Sequence, residues 1–411
     1  MKRIAIVGCG MRCYYTFATK FQENFADRVE IVACCDVNIK RAERFRKVFN
    51  PAMGVYGADE FEKMLDETKP TAVLVTTVDC YHHEYIVRAM EKGCDVYSEK
   101  PVTIDEEKCR IIREAEKRTG RKLTVTFNCR FMPYFAKLKE LMLSGAIGKP
   151  LAVHYQYLLN TVHGGDYFKR WHRFMHKSGG MLLHKATHHF DIVNWILNDD
   201  PVTVSAQGAR LYYGNDDRPH GERCHTCPYS ETCESYQELF DTENMQELWL
   251  NAEHIDGYER DHCAFKNDTD IYDSMSVSVA YKKGTLLTYS LTMYGTQEGY
   301  NLDIVGEKGR IVLSNFFDTD GYNLNGGYKM TVHFRNGEMK EIKLPKPKGT
   351  HSGGDDLMLE MLFGENVHAD PLEQCAGTFD GFKSAMIGIA ANESIRTGKR
   401  VEITEKLRLL Q

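Results

Sequence analysis

The first 127 residues alternate short apolar runs with stretches of helical periodicity, and this rhythm constrains the fold more than any other feature. Residues 3–7, 30–35, 72–76, 95–98 and 123–127 read as strands, and residues 39–49, 59–66, 83–92 and 106–119 as the helices between them. Strands joined through helices of this length form right-handed βαβ units around a parallel sheet. Past residue 128 the grammar changes. Helices at 135–144 and 187–197 flank a strand at 151–158, and residues 274–281 alternate apolar and polar with a period of two. Strands at 286–293, 300–305, 310–313, 328–334 and 339–344, with Asn336-Gly337 as a hairpin turn, predict a large open sheet with one polar face. Helices over 355–363 and 377–397 close the chain.

The expected class is therefore α/β: a doubly wound parallel sheet of Rossmann type over residues 1–127, and an α/β domain with a mostly antiparallel sheet over 128–411. A polar, cysteine-rich insertion at about 214–270 interrupts the second domain and is too long for an ordinary loop. The formal charge of −6 is spread over interspersed acids and bases, which argues against a nucleic-acid partner. No apolar run reaches the roughly 18 residues of a membrane span. The start, Met1-Lys2-Arg3, leads straight into a strand with no apolar signal core, and thirteen cysteines fit a reducing compartment, so a cytoplasmic location is expected.

Gly8 and Gly10 follow the first strand and open a helix, as a pyrophosphate-binding turn requires, with Met11 and Arg12 next in line. Cys13 stands where the third glycine of Gly-x-Gly-x-x-Gly belongs. Asp36 ends the second strand, where a carboxylate accepts ribose hydroxyls and repels a 2′-phosphate, so NAD is expected rather than NADP. The plainer role for Asp36, or for Asn38, is to cap the helix that follows.

Glu99-Lys100-Pro101, set just after an apolar strand, carries the most specific signal. Together with the glycine turn, Thr76-Thr77, His82, the segments 128–133 and 144–148, Ser178-Gly179-Gly180 and the helix start Thr187-His188-His189-Phe190-Asp191, it resembles the glucose–fructose oxidoreductase, inositol dehydrogenase and rhizopine-catabolism (Gfo/Idh/MocA) family along nearly the whole chain. The resemblance implies oxidation or reduction of a secondary hydroxyl on a sugar, glycoside or cyclitol, and subunits paired as a homodimer or homotetramer through the second sheet. It also implies that Lys100 contacts the reacting hydroxyl, that Glu99 faces the nicotinamide or its ribose, that Thr76 and His82 border the cofactor, and that a cis bond precedes Pro101.

In that family an aspartate occupies the place of His184, and His188 inherits the role of proton-shuttling base, for which an imidazole is suited near neutral pH. His184 and His188 are four apart and share one face if a single helix carries both. His184 is open to three readings: a second proton relay, a metal ligand with His154, His163 or Asp166, or a packed core group. Trp171, His172 and Arg173, with Arg130 and Tyr155, are candidate substrate-reading residues, since aromatic faces stack on sugar rings and charged groups bond hydroxyls. The histidine-rich stretch resembles a branch that leaves another chemistry open. There NAD transiently oxidises a ring hydroxyl, the acidified C–H is lost, and the anomeric substituent is eliminated, giving a glycosidase or lyase.

Cys224-x-x-Cys227-x5-Cys233, with Cys263, places four thiols inside the insertion. Four thiolates suit a closed structural zinc site, and a metal knot gives an insertion with few apolar anchors a reason to be ordered. An iron–sulfur cluster, free thiols or a disulfide are the alternatives.

Overall fold

Strand Lys2–Val7 (β1) shows why the first sheet is buried on both sides. Its alternate residues Ala5 and Val7 join one apolar cluster, while Ile4 and Ile6 join another. The computed structural model describes residues 1–317, 328–344, 350–365 and 369–411. After β1 come Val29–Asp36 (β2), Gly54–Gly57 (β3), Ala72–Val75 (β4), Asp95–Ser98 (β5) and Leu123–Val125 (β6). They lie in the order β6-β5-β4-β1-β2-β3, all parallel, and the short strand Ala376–Gly377 adds antiparallel to β6. This is the doubly wound Rossmann arrangement, whose ligands bind beyond the carboxyl ends of the strands near β1 and β4, where the order reverses.

The second sheet contains Pro150–Asn160 (β7), Pro201–Ala209 (β8), Ser274–Tyr281 (β9), Leu286–Gly295 (β10), Glu298–Gly306 (β11), Gly309–Phe317 (β12), Lys329–Phe334 (β13) and Met339–Ile342 (β14). Its order is β14-β13-β12-β11-β7-β10-β9-β8, ending on the short strand Val401–Glu402. Only β7 and β10 pair parallel; the other pairs are antiparallel. The inner face packs against helices Thr187–Leu197 and Thr378–Thr397. The outer face, with His154, Gln156, Ser276, Ser278 and Thr288, is exposed and polar.

Among the elements absent from the sequence reading are β3, only four residues long, and β8, whose residues 202–207 alternate apolar and polar. A third, helix Thr161–Lys169, is hidden by Gly164 and Gly165 at its centre. Close packing explains the first glycine: a Cβ on Gly164 would collide with the Met293 carbonyl oxygen of β10. Asn160 caps this helix, its side-chain oxygen accepting from the amides of Val162 and His163.

Residues 214–270 are not a free excursion. Buried Asp273 ties down their base, accepting from the amides of Leu211, Tyr212 and Tyr213. Phe240, Met245, Leu248 and Trp249 from the insertion join the apolar cluster that holds Ile4, Ile6, Phe17 and Phe45. The insertion thus shares the core of the parallel sheet.

Candidate active site

At the end of β1 the chain turns on Gly8, whose φ is +93°. A Cβ there would lie 2.6 Å from the Thr76 carbonyl, so only glycine fits. The Thr76 hydroxyl donates to the Gly8 carbonyl at 2.6 Å, which fastens β4 to the turn. Asp36, at the end of β2, accepts from the amides of Cys9 at 2.6 Å and Asn38 at 2.7 Å. Asn38 holds the helix N-cap position but makes no side-chain cap bond. Burial pushes Asp36 above the usual carboxylate range, while Arg41, 3.8 Å away, works against that.

Met11 packs against the apolar cluster under the turn. Arg12 is clamped between two carboxylates, 2.8 Å from Glu99 and 2.9 Å from Asp355. Burial works against the charge of Arg12, but Glu99 and Asp355 raise its pKa. Glu99 also accepts from the Thr126 hydroxyl at 3.0 Å. His82 places Nδ1 2.8 Å from the Pro101 carbonyl and Nε2 3.1 Å from that of Thr77, bracing the Lys-Pro turn against the end of β4. The Lys100–Pro101 bond is cis.

Lys100 leaves the end of β5 and places Nζ 3.0 Å from the carbonyl oxygen of His184. Burial lowers its pKa to about 8, against the pull of Asp79 and Glu99. His184 Nδ1 lies 2.6 Å from Asp79, a contact that requires one proton between them. Asp79 is buried and raised by desolvation, which the Lys100 charge opposes. Around His184 stand His172, with ring centroids 4.2 Å apart, Tyr167 at 5.6 Å and Trp171 at 5.7 Å. His172 has a buried Nδ1 with no hydrogen-bond partner.

His188 does not share a helix with His184. The short helix Met181–His184 ends there, and Thr187–Leu197 begins three residues later. The ring of His188 lies edge-on to Phe127, its Nδ1 buried and unpartnered. Desolvation, then the charges of Lys100 and Lys185, hold it well below the usual imidazole value, so it is neutral at pH 7. Lys100, His184, His172 and Trp171 therefore converge, and the charge of Lys100 reaches the His188 imidazole.

Three expected substrate readers are elsewhere. Arg130 forms a buried two-pronged pair with Asp191 at 2.8 and 2.7 Å, and this uses its fork. Tyr155 is 2 % exposed, packed among Tyr157, His189 and Tyr289. Arg173 is buried beside Asp268 and the Lys266 carbonyl, anchoring the insertion. Each looked accessible in the sequence because its partner lies far along the chain.

Other members of the site carried little sequence signal. Asp79 follows β4 at the carboxyl edge where such sheets bind ligands, and that position was the available clue. Lys185 sits 5.4 Å above the Tyr157 ring. Burial opposes its charge, but Tyr167, Tyr157 and Glu298 raise its pKa. His163 Nδ1 is 2.8 Å from Glu298 and Nε2 is 3.3 Å from the Tyr167 hydroxyl. The metal reading of His184 finds no partners. His154 lies on the exposed face of β7, His163 pairs with Glu298, and Asp166 pairs with Arg170 and Arg260.

All thirteen cysteines are free thiols. Cys224, Cys227, Cys233 and Cys263 line one small cavity with Lys169, Ser235 and Tyr236. Among the described residues no group of three or more His, Cys, Asp and Glu side chains is arranged to hold a metal ion. Burial pushes the Cys224 thiol up to about 11.

Residues 2–127 match the NAD-binding Rossmann fold of the Gfo/Idh/MocA oxidoreductase family, and residues 139–403 match that family's C-terminal alpha/beta domain. The chain is 33 % identical over 426 residues to the oxidoreductase YteT of Bacillus subtilis, covering 98 % of each chain. It is 29 % identical over 212 residues to inositol 2-dehydrogenase 4 of Saccharopolyspora erythraea, covering 51 % of this chain and 57 % of that one. An Agrobacterium radiobacter oxidoreductase solved with NAD+, L-tartaric acid and magnesium has the same fold, with TM-score 0.66 and 17 % identity over 98 % of this chain and 99 % of that one.

Proposed function

This chain belongs to the Gfo/Idh/MocA oxidoreductase family, and we propose that it transfers a hydride between NAD and a secondary hydroxyl of a sugar, glycoside or cyclitol. One observation supports the reading: the Lys100 amine, 3.0 Å from the His184 carbonyl, brings its charge to bear on the buried, unpartnered imidazole of His188. Bound NAD supplies the hydride acceptor. The Lys100 ammonium donates to the reacting oxygen and stabilises the alkoxide as it forms. Neutral His188 takes the hydroxyl proton. Asp79 holds His184, and through its carbonyl the amine of Lys100. Gly8, Gly10 and the first helix turn would hold the pyrophosphate, and the Asp36 carboxylate favours NAD over NADP. His172, Trp171 and Tyr167 would face the sugar. The experiment is incubation with NAD and a panel of sugars, glycosides and inositols, following reduced cofactor and released aglycone together.

A second reading is favoured by the Asp79–His184 contact and by His172, which give this site more acid–base groups than simple hydride transfer uses. In it bound NAD would supply the hydride acceptor that lets a ring hydroxyl become a ketone, and would return that hydride at the end. A base then removes the adjacent C–H proton and the anomeric substituent departs. Water would then add to the unsaturated ring at the carbon that lost its substituent. Aglycone release with only catalytic NAD supports this reading, whereas stoichiometric NADH supports the dehydrogenase.

Three finer statements belong to the same proposal. Subunits pair through the exposed polar face of the second sheet, which light scattering of the purified protein tests. A structural zinc ion occupies the cavity of Cys224, Cys227, Cys233 and Cys263, supported by the four thiols sharing that cavity. Metal analysis of protein purified without added metal should then give about one zinc per chain. A reducing cytoplasm is the proposed compartment, supported by thirteen free cysteines. Among the described residues no helix is long and apolar enough to cross a membrane.

A further inference from the structure

Lys185 follows directly on His184, yet among the described residues it makes no hydrogen bond and no ion pair. It branches from the same peptide unit whose carbonyl holds the Lys100 amine at 3.0 Å. Its Nζ lies 5.4 Å over the ring of Tyr157 on β7. That ring is fixed by stacking on His189 and Tyr300, at separations of 4.2 and 5.7 Å. Glu298 of β11, the carboxylate whose charge bears on Lys185, is committed to His163 Nδ1 at 2.8 and 3.0 Å. The ammonium is also open. Its side chain is only partly buried, and its nitrogen is not among the enclosed polar atoms without partners, unlike Nδ1 of His172 and of His188. A nitrogen that is neither bonded nor enclosed keeps accessible surface, so a ligand can reach it.

The surroundings add to this charge. Asp166 is shared between two guanidiniums, Arg170 at 2.6 Å and Arg260 at 2.9 Å, which leaves positive charge in excess beside Trp171 and His172. Burial, and then the charges of Arg170, Lys100 and Arg260, hold His172 low; burial, then Lys100 and Lys185, do the same to His188. Both imidazoles thus sit in a positive field. A cation taken partly out of water without a counter-charge costs free energy, and a substrate that brings the counter-charge removes that cost. With the forks of Arg170 and Arg260 engaged by Asp166, a single ammonium is left to do the reading. One ammonium matches a monoanionic carboxylate, whereas a phosphate dianion calls for more donors. We propose that Lys185 is a specificity-determining residue that pairs with a carboxylate of the substrate, so that the sugar oxidised at Lys100 and His188 is a uronic acid or a glycoside of one. The inference rests on the hydride-transfer reading above and narrows its substrate class.

The test compares glucuronate and galacturonate, as free sugars and as methyl glycosides, with their neutral aldoses and with the aldose 6-phosphates. Full-length protein saturated with NAD is used; turnover is read as NADH and released aglycone, and binding by calorimetry. Wild type should favour the uronate at least about tenfold in affinity and in kcat/KM, the size of one charge-assisted hydrogen bond. Lys185→Met should lose that preference mainly through KM, and Lys185→Arg, which keeps the charge, should retain part of it. A merely structural lysine would not move the ratio between the two substrates, and Lys185→Gln serves the same comparison if the methionine variant is unstable. No uronate binding, equal values for uronate and neutral aldose, a preference for the phosphate, or a uronate preference that survives in Lys185→Met overturns the inference and leaves the hydride-transfer reading intact. Uronate bound through Lys185 with neither NADH nor aglycone formed overturns the hydride-transfer reading and leaves the carboxylate contact standing.

Discussion

His184 Nδ1 and the Asp79 carboxylate stand 2.6 Å apart, although 105 residues separate them in sequence. The contact joins the end of β4 to the short helix before His188, and the same histidine offers its carbonyl to Lys100. Asp79 is thus a positioning residue for the amine. Asp79→Asn should lower kcat for sugar oxidation about tenfold or more while NAD affinity changes little. An altered NAD affinity with unchanged kcat would place Asp79 outside the reacting geometry.

Lys100 sets the alkaline side of the pH profile. Its charged form is needed to stabilise the alkoxide, and burial lowers its pKa to about 8. Activity in the oxidative direction should fall as pH rises through that value. Lys100→Arg keeps the charge over the whole range, so any residual activity should lose its alkaline limb. A limb that stays near pH 8 in this variant would assign it to another group.

Acid should destabilise the fold. His172, His184, His188 and His189 are all held well below the ordinary imidazole value by burial. In the unfolded chain each takes a proton near pH 6.5, so stability falls as pH drops below that, by up to about 1.4 kcal/mol per pH unit for each histidine. Asp36, Asp79 and Asp191, all raised by burial and the last to about 6, act in the opposite sense. The four imidazoles outnumber the three carboxyls, so melting temperature should be lower at about pH 5.5 than at about pH 7.5.

Arg130 tests structure against recognition. Removing one partner of its buried pair with Asp191 strands the other charge, which costs about 3–5 kcal/mol. Arg130→Ala should lower the melting temperature sharply, and Arg130→Met with Asp191→Leu should recover much of it. A changed KM at normal stability would instead return Arg130 to the substrate site.

The parallel sheet was legible because its strands are buried on both faces and its helices carry clear periods; helices Ile39–Phe49, Glu106–Thr119 and Thr187–Leu197 appear with the bounds read from sequence. Helix Thr161–Lys169 was not, since Gly164 is there for close packing on β10, and a sequence period cannot show that. The site divided in the same way. Lys100 was visible through a local motif. Asp79 and Lys185 owe their surroundings to residues many positions away, and the fork of Arg130 is used by a partner that local spacing does not reveal.

The most direct test of the account is a single turnover: protein with NAD bound is mixed with an oxidisable sugar or inositol, and the absorbance of reduced nicotinamide is followed in wild type and in Lys100→Met. Wild type should form reduced cofactor, and Lys100→Met should form it at least about a hundredfold more slowly while still binding NAD. Equal rates in the two proteins would contradict the assignment of the amine at the reacting hydroxyl.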